Sequence, residues 1–100
     1  MGVIIISKRE VTKDKEQALM PLILQLRKLA KGRPGFNSEE TWRHLKHLEE
    51  YLVVRAWESE DDWENWHSSQ QRIEIQEKIE ALLGKKTEYS FYEIIHRAEK

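Results

Sequence analysis

A chain of 100 residues with 39% apolar and 35% charged side chains is the size of one small domain, its core expected over residues 3–95. Seventeen basic against 18 acidic residues give a formal charge of −1, which offers no electrostatic basis for binding nucleic acid. Cysteine is absent, which excludes disulfides, thiolate catalysis and sulfur-ligated metals.

The first apolar run, Val3 to Ile6, is too short for a signal-peptide core or a membrane span, so the cytosol is the expected compartment and no membrane partner is expected. Val3 to Val11 starts with β-branched residues and predicts a first strand, buried on both faces in its first half. A helix is predicted from about Lys13 to Lys31 with Thr12 as N-cap, because Leu19, Leu22, Ile23, Leu26 and Leu29 form a stripe at helical spacing. Pro21 lies inside that stripe and predicts a kink there. Gly32, Pro34 and Gly35 end the helix, and Phe36 to Arg43 reads as a second strand.

His44 to Glu50 is short and polar, a hairpin connection. Tyr51 to Trp57 follows as a third strand, with Leu52, Val54 and Ala56 on one face and Tyr51, Val53, Arg55 and Trp57 on the other. Ser59 caps a second helix whose acidic first turn, Glu60 to Asp62, suits the positive end of the helix dipole. That helix carries Trp63 and Trp66 on one side. A further helix from about Gln70 to Leu83 has Ile75, Ile79 and Leu82 as its stripe and Gly84 beyond its end. Thr87 to Ile95 is the last strand, with Phe91 and Ile95 on one face and Tyr92 and Ile94 on the other.

The order strand, helix, strand, strand, helix pair, strand predicts an α+β, ferredoxin-like split βαβ domain with a four-stranded antiparallel sheet. Helices cover one face of such a sheet. Because the strands are apolar on both sides, the other face is expected to pack on a second copy of the chain across a two-fold axis.

With these elements in place, the chain resembles the antibiotic-biosynthesis monooxygenase domains, from about Val3 to Ile95. The likeness is carried by Arg33-Pro34-Gly35-Phe36, by Ala56-Trp57-Glu58-Ser59-Glu60-Asp61-Asp62-Trp63, and by Leu82-Leu83-Gly84 followed by Phe91-Tyr92-Glu93. The resemblance implies a dimeric α+β barrel, two sheets packed face to face, and a pocket in each subunit between sheet and helices. The family includes quinone-forming monooxygenases, haem-degrading enzymes and members without known activity. Its haem-degrading branch depends on an Asn in the first strand, a Trp on the second helix and a haem-ligating His ten residues after that Trp. Here Trp66 matches the Trp, but Gln76 stands ten residues on and Lys8 or Ser7 at the Asn position, so haem degradation by that route is not expected.

The resemblance leaves a cofactor-independent oxygenase acting on a small aromatic or hydrophobic molecule near Trp66, or a non-enzymatic ligand-binding or stress-related dimer on the same fold. A lactone isomerase-like activity ranks behind both. The pocket candidates are Trp66, His67, Gln76 and Lys8. His67, Lys8 and Arg9 are the titratable groups within reach, and His67 has a pKa suited to a general base. His44 and His47 lie three apart in a connection with no carboxylate placed to complete a site, so no metal is expected, and no resident cofactor either. Trp57 and Trp63 are expected to pack the helix pair on the sheet, and Trp42 to lie at the dimer interface.

Overall fold

The computed structural model describes residues 2–100. Strand β1 (Val3–Glu10) leads through a 3-10 turn at Lys13–Lys15 into helix α1 (Glu16–Lys31), followed by β2 (Phe36–Arg43) and β3 (Glu50–Trp57). Helices α2 (Glu60–His67) and α3 (Gln70–Leu83) precede β4 (Glu88–Glu93). All neighbouring strands are antiparallel, in the order β2-β3-β1-β4, which is the ferredoxin-like α+β arrangement. Among the described residues no helix is long and apolar enough to cross a membrane.

Successive strand residues point to opposite faces, and the register shows which side each joins. Ile5, Ser7 and Arg9 of β1 and Val53, Arg55 and Trp57 of β3 are buried toward the helices. Their alternates Ile4, Ile6, Leu52, Val54 and Ala56 lie on the opposite face and are only half-buried. Trp42 of β2, opposite Leu52, and Tyr92 of β4, opposite Ile4, extend this face and are exposed. The uncovered face thus carries a continuous apolar band across all four strands.

The core is centred on Trp57, which is fully buried. Its ring stacks on Trp66 of α2 at 6.2 Å between centroids and meets Phe36 edge-on at 5.5 Å. A bulge at Asn37, between the pairs Phe36–Trp57 and Ser38–Ala56, brings Phe36 into that contact while β2 continues in register. Leu19, Ile23, Leu26 and Ala30 of α1 and Ile75, Ile79 and Leu83 of α3 complete it. Leu83 is the more buried end of the α3 stripe, and Leu82 is half-buried.

Two of the sequence segments that carry the family resemblance meet in space. Gly35 has φ 84°, a left-handed conformation that glycine adopts without penalty, and its carbonyl accepts a hydrogen bond from Glu58 N at 2.8 Å. A Cβ at Gly35 would overlap the Asp62 carboxylate. Asp62 is held there because Ser59 Oγ accepts from Asp62 N at 3.1 Å, the expected N-cap, and donates to Asp62 Oδ2 at 3.0 Å.

Some local expectations shift. Thr12 does not cap α1: Lys15 occupies that position, and the Thr12 carbonyl instead accepts from Lys15 N to close the 3-10 turn. Helix α1 starts at Glu16, later than Lys13, and continues through Pro21 as its apolar stripe implied, the packing of Leu19, Ile23 and Leu26 outweighing the one backbone bond proline removes. Strand β1 ends at Glu10, and Val11 N bonds Glu49 O just past the ladder. Strand β4 is shorter at both ends than Thr87 to Ile95, because β1 offers partners only for Glu88 to Glu93.

Gly35→Ala is expected to cost at least about 1–2 kcal/mol in urea unfolding, from left-handed strain before the Asp62 overlap is added. Ser59→Ala, which removes the cap but adds no overlap, is expected to cost about 1 kcal/mol.

Candidate functional site

Every element except β2 sends a side chain to the space between β1 and the helix pair. Strand β1 supplies Ser7 and Arg9, and β3 supplies Arg55 from the same inner face. Helix α2 ends there with Trp63, Trp66 and His67. Arg72 and Gln76 are one helical turn apart on α3 and both are buried, although most helix positions of that type face water. Tyr89, opposite Ser7 on β4, closes the far side.

The open volume among these groups is about 10 Å³, enough for one water molecule. A network of hydrogen bonds lines it. Arg9 Nη2 donates to Gln76 Oε1 at 3.2 Å, and Gln76 Nε2 donates to Thr87 Oγ1 at 2.8 Å and Glu80 Oε2 at 2.9 Å. Arg72 donates to the His67 carbonyl at 3.0 Å and to the Tyr89 hydroxyl. The His67 ring stacks on Trp63 at 4.6 Å and meets Tyr89 edge-on at 5.3 Å. The Arg55 guanidinium lies over the Trp66 ring at 5.8 Å.

Beyond Arg9, under the N-terminal half of α1, is a second cavity of about 300 Å³. Its body is apolar, formed by Val11, Leu19, Met20, Ile23 and Val53. Its rim is a polar cluster in which Arg43 donates to Glu16 at 3.1 Å and to the Tyr51 hydroxyl, which donates to Glu16 in turn. Arg9 lines both cavities and is the wall between them.

Positive charge is concentrated here in a chain of net charge −1. Glu39, its side chain 4% exposed, binds both Arg55 at 2.7 Å and Arg27 at 2.6 Å. Burial pushes the Glu39 carboxyl up, but Arg55 and Arg27 outweigh it and hold it below the usual carboxylate value. Arg9 and Arg72 have no carboxylate partner among the described ion pairs. Burial, with Arg55 and Arg72 adding repulsion, lowers the Arg9 pKa to about 10, and it remains a cation at neutral pH. Among the described residues, its Nε and Nη1 have no hydrogen-bond partner, nor does Arg55 Nη2. Burial, then the Arg72 charge, lowers the His67 pKa, so its imidazole is neutral at pH 7.

Three of the four residues singled out from sequence, Trp66, His67 and Gln76, line the small cavity. Lys8 does not: its partners across the ladder are Leu52 and Glu88, on the uncovered face, and its ammonium is 3.6 Å from Glu50. One step of the pleat separates it from Arg9, which points inward. Gln76 is a hydrogen-bond hub rather than passive lining. Arg55, Arg72, Glu39 and Tyr89 were not anticipated. The signal available in the sequence was an arginine on an otherwise apolar strand face, at Arg55 between Val53 and Trp57. His44 and His47 pack ring to ring at 4.6 Å in the β2–β3 connection, where His44 Nδ1 accepts from Lys46 N and His47 N at 3.0 Å each.

A family model described as antibiotic biosynthesis monooxygenase matches residues 1–78, from β1 through most of α3. The chain belongs to the antibiotic biosynthesis monooxygenase family. None of the curated proteins matches it significantly. Among solved structures, a conserved protein from Methanosarcina mazei Go1 is 22% identical with a TM-score of 0.83, covering 92% of this chain and 91% of its own. SnoaB from Streptomyces nogalater, described as a cofactor-independent oxygenase, is 12% identical with a TM-score of 0.85, over 99% of this chain and 98% of its own. A family protein from Bordetella bronchiseptica is 16% identical with a TM-score of 0.80, over 95% and 98% respectively. At these identities the shared property is the fold.

Glu39→Gln leaves Arg55 buried without a counter-charge and is expected to cost about 3 kcal/mol at pH 7. Since the native Glu39 pKa is depressed, the stability from its charge is present above the unfolded carboxyl value of about 4.3 and is lost as pH falls through the native value. Urea unfolding of the two proteins should therefore still differ at the unfolded carboxyl value of about 4.3 and converge only as pH falls through the lower native value of Glu39.

Proposed function

We propose that this chain is a cofactor-independent monooxygenase for a small aromatic or hydrophobic molecule, acting as a homodimer, with Trp66, His67 and Gln76 at the reacting end of its site. The observation that carries this reading is the pair of adjoining cavities. One is apolar and of about 300 Å³, at the lower end of the range for small-molecule sites; the other is aromatic, holds a neutral imidazole and is nearly closed. The first holds the body of the ligand. Its reactive edge points past Arg9 toward Trp66 and His67, and Arg9 with the half-open rings of Trp63, His67 and Tyr89 must shift to admit it, because the second cavity has room for only one water.

An electron-rich phenol supplies its own electrons to oxygen once deprotonated, so the protein need only take the proton and position the ring. The neutral His67 is the proton acceptor, and Trp66 forms the wall against which the ring lies. A phenol plus O₂ gives a quinone plus water: one oxygen atom enters the product, and the other leaves as water with two hydrogens from the substrate. Family membership and the oxygenase description of SnoaB support this reaction class.

The apolar band across Ile4, Ile6, Leu52, Val54, Trp42 and Tyr92 supports a dimer through the sheet faces, because a monomer would leave it in water. Sedimentation at micromolar concentration should give about twice the 12.0 kDa chain mass. The small size of the Trp66 cleft favours a second reading, a ligand-binding dimer without turnover.

Purified protein incubated with a panel of quinols and polyphenols should consume oxygen with at least one of them. Trp66→Phe, which keeps an aromatic ring packed on Trp57 where alanine would remove about 3–5 kcal/mol of core packing, should lower that rate about tenfold or more while the protein stays folded. The rate should hold down to the ordinary imidazole pKa of about 6.5 and fall only below it, as His67 protonates. Thermal stabilisation by a panel member with no oxygen use would support the binding module instead.

A further inference from the structure

The linings of the two cavities hold five arginines, Arg9, Arg27, Arg43, Arg55 and Arg72, against a single carboxylate, Glu16. Glu39, behind them, pairs with Arg27 and Arg55, and Glu16 pairs with Arg43. That leaves Arg9 and Arg72 uncompensated. Arg72 is satisfied in part by Tyr89 and a backbone carbonyl, whereas Arg9 is 4% exposed with two of its three nitrogens unpartnered. A buried guanidinium without a counter-charge is among the costlier arrangements in a protein interior, and here it stands at the wall of an apolar cavity.

We propose that the site takes a small organic anion, a carboxylate or phenolate on an apolar frame, with Arg9 as its anchor and the cavity of about 300 Å³ holding the frame. Arg9 Nη2 forms a two-donor edge with Nε on one side and with Nη1 on the other, and both of these are free, so releasing Nη2 from Gln76 opens an edge that can donate to two oxygens of a carboxylate or to one phenolate oxygen. Rotation of Arg9 toward the larger cavity turns that edge to the ligand and releases only the 3.2 Å bond to Gln76. The negative charge then neutralises the local excess, while Leu19, Met20, Ile23 and Val53 exclude water from the pair. The selection is by charge and apolar shape together, so a bare inorganic anion does not satisfy it. The proposal rests on the reading of these cavities as a ligand site but does not require turnover.

The test uses wild-type protein, 2-naphthoate and its neutral counterpart 2-naphthamide, with binding followed by tryptophan quenching. Naphthoate should bind at least tenfold more tightly than the amide, and inorganic phosphate at the same concentration should not displace it. Arg9→Met should abolish the preference while retaining the weaker amide affinity, and Arg9→Gln provides the same comparison if the methionine variant does not fold. Equal affinities in wild type, a preference that survives in both variants, or displacement by phosphate would each overturn the proposal. A naphthoate preference with no phenol-dependent oxygen use would sink the oxygenase and leave anion recognition standing. Oxygen use unchanged by Arg9→Met, without the preference, would do the reverse.

Discussion

The pleat of β1 is the constraint on which the rest of the structure depends. This strand is hydrogen-bonded on both sides, to β3 and β4, so it cannot slip without breaking two ladders. Its period of two sends Ile5, Ser7 and Arg9 under the helices and Ile4, Ile6 and Lys8 to the other face. A shift of one residue would bury Lys8 and expose Arg9, exchanging a cation paired near Glu50 for one with no carboxylate. The core, the cavities and the uncovered band therefore share one register.

Charge burial on the inner face is arranged around Glu39, which joins α1 to β3 through Arg27 and Arg55. Buried ion pairs give little net stability, because desolvation offsets much of their attraction, but they make the loss of one partner costly. Here the pair fixes where β2 and α1 sit relative to β3, and so where the roof of the apolar cavity lies. The surplus arginines are not explained by that framework, whose needs Glu39 and Glu16 already meet. A site that keeps an unpaired cation in its wall gives up stability that an apolar residue would recover, as expected of groups retained for a ligand rather than for folding.

The aromatic cluster does different work at its two ends. Phe36, edge-on to Trp57, and Trp66, stacked on it, tie the β2 bulge to α2, while Trp63, His67, Tyr89 and Phe91 form a looser group at the cavity edge. In the first group Trp57 and Trp66 are buried and Phe36 is half-buried, and the second group is half-open, with Phe91 54% exposed. The half-open group is the part of the wall best able to move, since its rings are not closed in on every side.

From the sequence alone the fold was legible. Apolar period, the glycines after α1 and α3, and the Ser59 cap are local signals, and they placed seven elements in the right order. The family resemblance was legible for the same reason, since its motifs are the turns and caps where local chemistry is least replaceable. Trp66 and Gln76 were singled out through the family resemblance, which matches Trp66 and compares the position ten residues on, and His67 as the neighbour of Trp66. What only the tertiary structure decided was which of two adjacent cations, Lys8 or Arg9, faces inward, and that Arg55 and Arg72 converge on it from β3 and α3. Strand register and helix rotation depend on contacts between segments far apart in the chain, and no local pattern in a polar stretch such as Ser7 to Glu10 encodes them.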